Sequence, residues 1–361
     1  MGWGAVTGSC LLSLTAHHFV PPGTVQHWAL SLSGLLFVAV VLPLLDVATG
    51  AEATSQPVFP SRPGEAALFQ AVQLLVLPAH LAVVAAWVHA AATVPFNPLL
   101  WAAWFASTAA HGGVAFTAAH EGVHRGGWQG IAARILLASC CYGHWEQGHL
   151  AHHAAAGTER DAATARLNEP LLPDFLVRNV KGAWADGVAA GGRAGMARWA
   201  GASVAFGWAA ALAAGPMGLA GFLACAASCI TMLNFADYIE HYGLQFPEHA
   251  RRRDPVSVTW DADWIASNCA TFFLQRHSHH HRQPSRAYYA LRSFRDRADA
   301  PKMPMSYPAM FLLAAVPPLW FRVMNPRVRQ HQERVVKEMI DDINQAIDDN
   351  GLEAAAALRS N

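Results

Sequence analysis

His120-Glu-Gly-Val-His124 is the first of four histidine elements in this 361-residue chain. On a helix the i, i+4 spacing sets both imidazoles on one face, about one turn apart, where they can share a metal ion. The second element is His149-Leu-Ala-His152-His153, preceded by His144, and the third is His277-Ser-His279-His280-His281. In each, the i, i+3, i+4 spacing aligns three rings. Glu240-His241-Tyr242-Gly243 is the fourth. Read separately, the elements have plainer meanings. HEGVH fits the zinc-protease pattern with Glu121 as general base, a five-residue match that recurs by chance. A run such as His279 to His281 also fits a solvated basic patch.

Read together, His120, His124, His149, His152, His153, His241, His277, His280 and His281 are too many ligands for one metal and suit two. Imidazole accepts zinc, copper, nickel or iron, so ligand type alone does not name the ion. Zinc closes with four ligands, or three plus water, and would leave most of this set unused. Two irons, each with four or five histidines and a position open for oxygen, use all nine. Neutral rings leave the ionic charge uncancelled, so carboxylates are expected behind them, holding their orientation. Glu121, Glu146, Asp237, Glu240 and Asp261 are the candidates by proximity in sequence.

The elements that must carry these residues are apolar. Hydrophobic residues make up 53% of the chain and charged ones only 14%, with zero formal net charge; a soluble domain has nearer a quarter charged. A disordered chain and a nucleic-acid binder are excluded on the same ground. Apolar segments at about 3–20, 26–46, 67–93, 97–119, 197–214 and 216–237 each approach the roughly 20 residues that a bilayer requires. They predict an all-α membrane protein with six transmembrane helices in three hairpins and a cytoplasmic, helical, histidine-rich domain. Residues 1–119 hold only Asp46, Glu52, Arg62 and Glu65 as charged groups, so 24 of 25 Lys/Arg lie beyond them. The excess of positive charge on the cytoplasmic side places 120–196, 238–361 and both termini there, as in a bacterial inner membrane. The division expected is a four-crossing region (1–119), a cytoplasmic region with the first two histidine boxes (120–196), a transmembrane hairpin (197–237) and a cytoplasmic region with EHYG, the third box and terminal helices (238–361).

Other segments complete that outline. No basic stretch precedes the first apolar run, which is therefore read as mature fold rather than signal peptide. The run from Tyr307 to Phe321, with Pro317-Pro318, is expected to pack against the bundle or lie at its interface. Val335, Val336, Met339, Ile340, Ile343 and Ile347 trace a helical face expected to dock on the cytoplasmic domain. The six cysteines form no CxxC pair and read as small apolar residues in membrane helices.

At its histidines and beyond, the chain resembles the membrane alkane 1-monooxygenases, a family that includes xylene and cymene monooxygenases within the fatty acid desaturase and hydroxylase superfamily. The resemblance runs through Pro43-Leu-Leu-Asp46, HEGVH at 120, Tyr142-Gly-His-Trp145, Thr158, Asp161 to Arg166, Tyr238 to Leu244, Leu274 to Ser278, Tyr289 to Arg292, Asp299 to Pro301 and Pro317 to Arg327. It departs at the second box, one residue shorter and with Gly148 where the family has an acid, at Asp237 in place of asparagine, and at His279 in place of aspartate. The resemblance implies a di-iron, oxygen-dependent monooxygenase that hydroxylates an apolar hydrocarbon. Its nine histidines would bind two irons, with electrons supplied by a rubredoxin or ferredoxin and its reductase. No flavin, nucleotide or iron–sulfur spacing appears in the chain itself. The apolar lining of crossings 2 to 4 is expected to receive the substrate from the membrane lipids. Arg251, Arg252, Arg253, Arg276, Arg282, Arg286, Arg292, Arg295 and Arg297 form the expected basic face for an acidic carrier. A lipid acyl-chain desaturase or hydroxylase, an intramembrane zinc metalloprotease and a non-catalytic metal- or lipid-binding protein are the alternatives.

Overall fold

The computed structural model describes residues 2–53, 55, 64–246, 254–297 and 299–360, without side chains at 342 and 346–360. Among them the architecture is all-helical; extended pairing is limited to the isolated bridges Ala51–Trp264 and Asp261–Lys302. Helix α1 (Gly2–Thr15) has 14 residues, a length of about 21 Å against the roughly 30 Å of a hydrocarbon core. It gives way to a tight turn over Ala16–His18. The next apolar segment is broken into α2 (Val25–Ser31), α3 (Ser33–Leu36), a wide turn over Phe37–Val41 and α4 (Leu42–Thr49), with a 60° bend after Ser31.

That bend has a visible cause. The Ser107 hydroxyl, from a neighbouring helix, accepts from the Leu35 N–H (3.3 Å) and donates to the Ser31 carbonyl (3.0 Å). A foreign side chain thus stands in for part of the interrupted backbone ladder. The approach requires glycine at 34, because a Cβ there would lie 2.6 Å from the Ser107 carbonyl oxygen.

Helices α5 (Glu65–Leu74) and α6 (Val76–Thr93) follow as one nearly continuous apolar stretch. α7 (Pro98–Val123) starts on Asn97, whose side chain accepts from Leu99 and Leu100 N–H, with Pro98 in the first turn. Its last turn delivers His120, and His124 follows at its end. After α8 (Gly127–Ser139) and α9 (Trp145–Ala155), α10 (Leu176–His241) is a 66-residue assembly broken at Gly192 and at Ala214-Gly215. At the second break the chain folds back: Phe206 and Phe222 stack with centroids 6.5 Å apart, and Gly207 faces Leu219 and Phe222.

By length and composition, Glu65–Thr93 and Leu171–His241 are helices able to cross a membrane, and the bent pair Val25–Ser31 with Ser33–Thr49 makes a third. The six crossings expected from hydropathy are therefore matched by two or three helices of that kind among the described residues. α1 is too short, and α7 interleaves Ser107, Thr108, His111 and Thr117 with its apolar residues. These polar groups are satisfied inside the bundle. Thr7 Oγ1 meets His111 Nδ1 at 3.0 Å, His111 Nε2 meets His80 Nδ1 at 3.1 Å, and His80 Nε2 meets Cys140 Sγ at 3.6 Å. The chain of contacts ties α1, α7, α6 and the end of α8 together. Cys10, Cys140, Cys225 and Cys229 are buried as small core residues, but Cys269 is exposed.

Short helices α11 (Ile265–Ala270) and α12 (His277–Arg282) precede α13 (Tyr307–Ala314) and the long α14 (Pro317–Ser360). Buried Asp46 on α4 accepts from the Ser267 N–H (2.8 Å), fixing α11 against the bundle. Tyr307, Met310, Ala314, Trp320, Met324 and Val328 are fully buried, so the segment after 307 packs as a layer of the fold. The later apolar face docks only in part among the described residues. Val335 and Met339 are half-buried, and Val335 and Val336 line a small cavity with Leu244, Phe246 and Val258, beside the contacts of His331 with the Ser257 carbonyl and Gln332 with the Gly243 carbonyl; Val336, Ile340 and Ile343 are exposed. Ile347 lies outside the described side chains.

The close contact between α7 and α10 sets a test. A Cβ on Gly112 would sit 2.6 Å from the Cys229 Cα, whereas nothing lies within 4 Å of one on exposed Gly8. Gly112→Val should destabilise the detergent-solubilised protein by about 1–3 kcal/mol through forced separation of α7 and α10. Gly8→Val should leave the thermal midpoint within error of the parent.

Candidate metal centre

Four elements bring the histidines together: the end of α7, the face of α9, the end of α10 and the whole of α12. His120, His124, His149, His153 and His280 form one group, and His152, His241, His277 and His281 form another; within each, one ring nitrogen per residue lies within 4.8 Å of all the others. His153 and His281 touch across the division, with ring centroids 4.4 Å apart, so the groups are neighbours. His144, His279 and His331 belong to neither. The first packs on Tyr142 and Trp184, the second accepts from the Arg292 N–H at Nδ1, and the third meets the Ser257 carbonyl.

The rings meet nitrogen to nitrogen. His149 Nε2 faces both His124 Nε2 (2.9 Å) and His153 Nε2 (3.1 Å), and His153 Nε2 also faces His280 Nε2 (3.0 Å). In the other group His281 Nε2 faces His152 Nε2 (3.2 Å) and His277 Nε2 (3.0 Å), and His277 Nε2 faces His241 Nε2 (3.1 Å). A neutral ring nitrogen has either one proton or one lone pair, so a nitrogen facing two others cannot satisfy both directions by hydrogen bonding. His120 Nε2 is buried with no hydrogen-bond partner at all. A cation inside each group satisfies every lone pair at once.

Two rings are held from behind. His241 donates from Nδ1 to the Val258 carbonyl (3.1 Å), which leaves its Nε2 lone pair toward the group. His152 Nδ1 contacts Asp161 Oδ2 at 2.8 Å, and Thr164 donates to the same carboxylate oxygen at 2.6 Å. Burial works to raise the Asp161 carboxyl, but the charge of His152 and its hydrogen bond outweigh it and bring the group down to about 2. For His152 burial lowers the ring and Asp161 raises it, the carboxylate prevailing. A metal ion at Nε2 is thus opposed to an anion at Nδ1, the usual way of orienting an imidazole ligand.

An apolar cavity reaches this centre. Its free interior is ≈ 60 Å³, and His120, His149, His152 and His277, drawn from both groups, form part of its wall. Val6, Val38, Leu42, Ala110, Val114 and Phe116 are among its other lining residues. The expected lining by crossings 2 to 4 is corrected here. α6 contributes no residue, while α1, α10, α13 and the segment 270–274 do.

A sequence profile of the fatty acid desaturase family matches residues 96–314, the span that contains all nine histidines. The alkane 1-monooxygenase of Ectopseudomonas oleovorans is 33% identical over 313 residues, 80% of this chain and 75% of its own length. This chain belongs to the fatty acid desaturase family, among the alkane 1-monooxygenases. Alkane 1-monooxygenase 2 of Alcanivorax borkumensis is 29% identical over 92% of this chain and 91% of that protein. For alkane 1-monooxygenase 1 of Pseudomonas aeruginosa the identity is 33%, but the match spans only 61% of each chain.

In this alkane 1-monooxygenase homologue, the carboxylates predicted from sequence divide. Glu240 comes within 3.4 Å of His277, at Nε2 rather than at the outer nitrogen, and accepts from the Tyr307 hydroxyl (3.0 Å). Asp237 lines the cavity and accepts from Asn179 at 2.8 Å. The other three support the scaffold instead of touching a ring. Glu121 pairs with Arg125 (2.8 Å) and accepts from the Tyr288 N–H, Glu146 pairs with Arg134 (2.9 Å), and Asp261 accepts from the Ser278 N–H (2.8 Å) while pairing with Lys302. Asp161, among the described residues the one acid in hydrogen-bond contact with a ring of the groups, does not adjoin a box in sequence and so is not one of the predicted carboxylates. Its signal was the position eight residues after His153, within reach once α9 ends. The basic face is also redrawn. Arg251 to Arg253 lie outside the described residues, Arg276 is buried with Glu52, and Arg297 is paired with Asp254 and Asp299. Arg282, Arg292 and Arg295 are exposed, with Arg286 half-buried beside them in sequence.

Replacing Asp161 with Ala should release the outer nitrogen of His152. The expected result is a 10–100-fold loss of metal affinity, read as faster metal release to a chelator. Glu146→Ala should retain metal like the parent.

Proposed function

We propose that this chain is a di-iron, oxygen-dependent membrane monooxygenase that hydroxylates an apolar hydrocarbon, a medium or long alkane or an alkyl side chain on an aromatic ring. The observation that carries the proposal is the apolar cavity ending on rings from both nitrogen-facing groups. The five-membered group would hold one iron and the four-membered group the other. Two histidine-bound irons with an open position for oxygen supply an oxidant able to hydroxylate an unactivated C–H bond, with one oxygen atom going to product, the other to water, and two electrons consumed per turnover. The protein's part is to bind, orient and keep dry. Ala110, Val114 and Phe116 on α7 and Met232 and Leu233 on α10 line the cavity, where an aliphatic chain gains burial with no polar group to satisfy. Trp145 stacks on His149 (centroids 4.4 Å apart) and so holds that ring's plane beside the cavity.

Six crossings, with the centre and both termini on the cytoplasmic face, accord with the charge distribution and with the folding-back at Ala214-Gly215. Electrons would come from a rubredoxin or ferredoxin docking near Arg282, Arg286, Arg292 and Arg295, which follow His281 in the chain. Lipid acyl-chain desaturation is the second reading, favoured by the family profile itself; it uses the same centre and is separated by product analysis. The zinc-protease reading is disfavoured by Glu121, whose carboxylate is engaged by Arg125 and Tyr288 instead of serving a nucleophilic water.

Purified protein should contain about two irons per chain, and His280→Ala should lose both hydroxylation and iron, while His279→Ala keeps both. Stoichiometric zinc with negligible iron in active protein would falsify the iron assignment. Conversion of a hydrocarbon panel should require an added rubredoxin or ferredoxin system and fall as ionic strength rises. Full turnover with NADH and oxygen but no carrier protein would remove the docking model.

A further inference from the structure

A second histidine cluster lies at the opposite end of the bundle. A Cβ on Gly2, at the start of α1, would contact Ala270 beside the cavity that leads to the nine-histidine centre. His17 and His18 come at the other end of the same helix, on the order of 20 Å away. His89 reaches them from α6; the preceding helix α5 is anchored near the centre by the Gln73 side chain donating to the Ala118 carbonyl (2.8 Å).

The turn Ala16–His18 builds the cluster. α1 ends as Thr15 donates its hydroxyl back to the Leu11 carbonyl (2.8 Å), and Phe19 and Val20 N–H groups both close on the Ala16 carbonyl. This tightening brings the His17 and His18 rings to a centroid separation of 3.9 Å, with His89 5.4 Å from His18 and 6.2 Å from His17. One ring nitrogen from each of the three lies within 4.8 Å of the other two. No carboxylate belongs to the group, so three protonated rings would repel one another with nothing to offset the charge. Both nitrogens of His17 are shielded from solvent without a hydrogen-bond partner of ordinary geometry, while His18 and His89 are exposed. The cluster therefore has an unmet demand for a donor or cation on its inner side and an open approach on its outer side.

We propose that His17, His18 and His89 form a binding site for a divalent transition-metal ion, with zinc(II) as its simplest occupant, separate from the nine-histidine centre. Three imidazoles and a water complete the four positions zinc prefers, and the exposed rings leave room for the water. Such a site joins the end of α1 to α6 across the turn, so an ion bound there cross-links two helices of the bundle.

The test uses the full-length, iron-loaded protein and zinc alone as probe. After equilibration with zinc and removal of free metal, the parent should hold one zinc equivalent more than the His18→Ala/His89→Ala variant, with equal iron and equal hydrocarbon conversion in both. Zinc should also raise the thermal midpoint of the parent and leave that of the variant unmoved. Equal zinc content in the two proteins, or a zinc affinity no tighter in the parent, would overturn the site. If the double variant loses iron through misfolding, His89→Cys decides: it keeps a ligand at that position and should retain the extra zinc, whereas His89→Leu should not. Loss of the extra zinc from His89→Cys with iron intact also counts against the site.

Discussion

Facing lone pairs organise this protein. Eight imidazoles point their nitrogens at one another at 2.9–3.2 Å in two adjoining groups, and His120 joins the first group with its Nε2 unpartnered, an arrangement that hydrogen bonding alone cannot satisfy. Everything around the groups resists their separation. Asp161 and the Val258 carbonyl hold two rings from behind, Trp145 stacks on a third, and Arg125, Arg134 and Lys302 neutralise acids that would otherwise be buried as uncompensated charges near the centre. The apolar bundle then supplies a cavity with four of the nine rings in its wall.

Much of the candidate site was legible in the sequence. Helical spacing within a box is a local property, so the i, i+4 pairs His120/His124, His149/His153 and His277/His281 each enter one group as their spacing predicts, whereas the i+3 rings His152 and His280 go to the other group. The gathering of the four elements was inferable only from the number of ligands, since α10 and α12 are far from α7 in the chain. The division into five and four was not legible. His152 and His153 are neighbours in sequence yet enter different groups, because successive side chains on a helix diverge by about 100°. The acids were harder still. An ion pair such as Glu146 with Arg134 depends on tertiary placement, and adjacency to a box carries no information about it. The apolar face of α14 is docked only in part, at Val335 and Met339, for a related reason: periodicity shows that a face is apolar, not how far a partner extends along it.

The fold was less legible than the site because hydropathy counts apolar residues without asking whether their helix is continuous. α7 crosses the bundle with His111, Thr108 and Ser107 inside it, satisfied by Thr7, His80, Cys10, Trp87 and the bent segment. A helix that must end in two of the clustered histidines and also serve as a post of the bundle makes its polar contacts inward. Its apolarity is correspondingly diluted.

The joint at Ser107 links two parts of the site. Val38 and Leu42, which form part of the cavity wall, stand on the segment whose angle is set by Ser107 and Gly34, and Ser107 itself stands on α7, the helix that ends in His120. A change at Gly34 would swing this part of the wall against a post held by the rest of α7, whereas a change at Ser107 would act on the wall and on the histidine helix together. The shape of the chamber is thus tuned most freely from the bent segment's side of the joint.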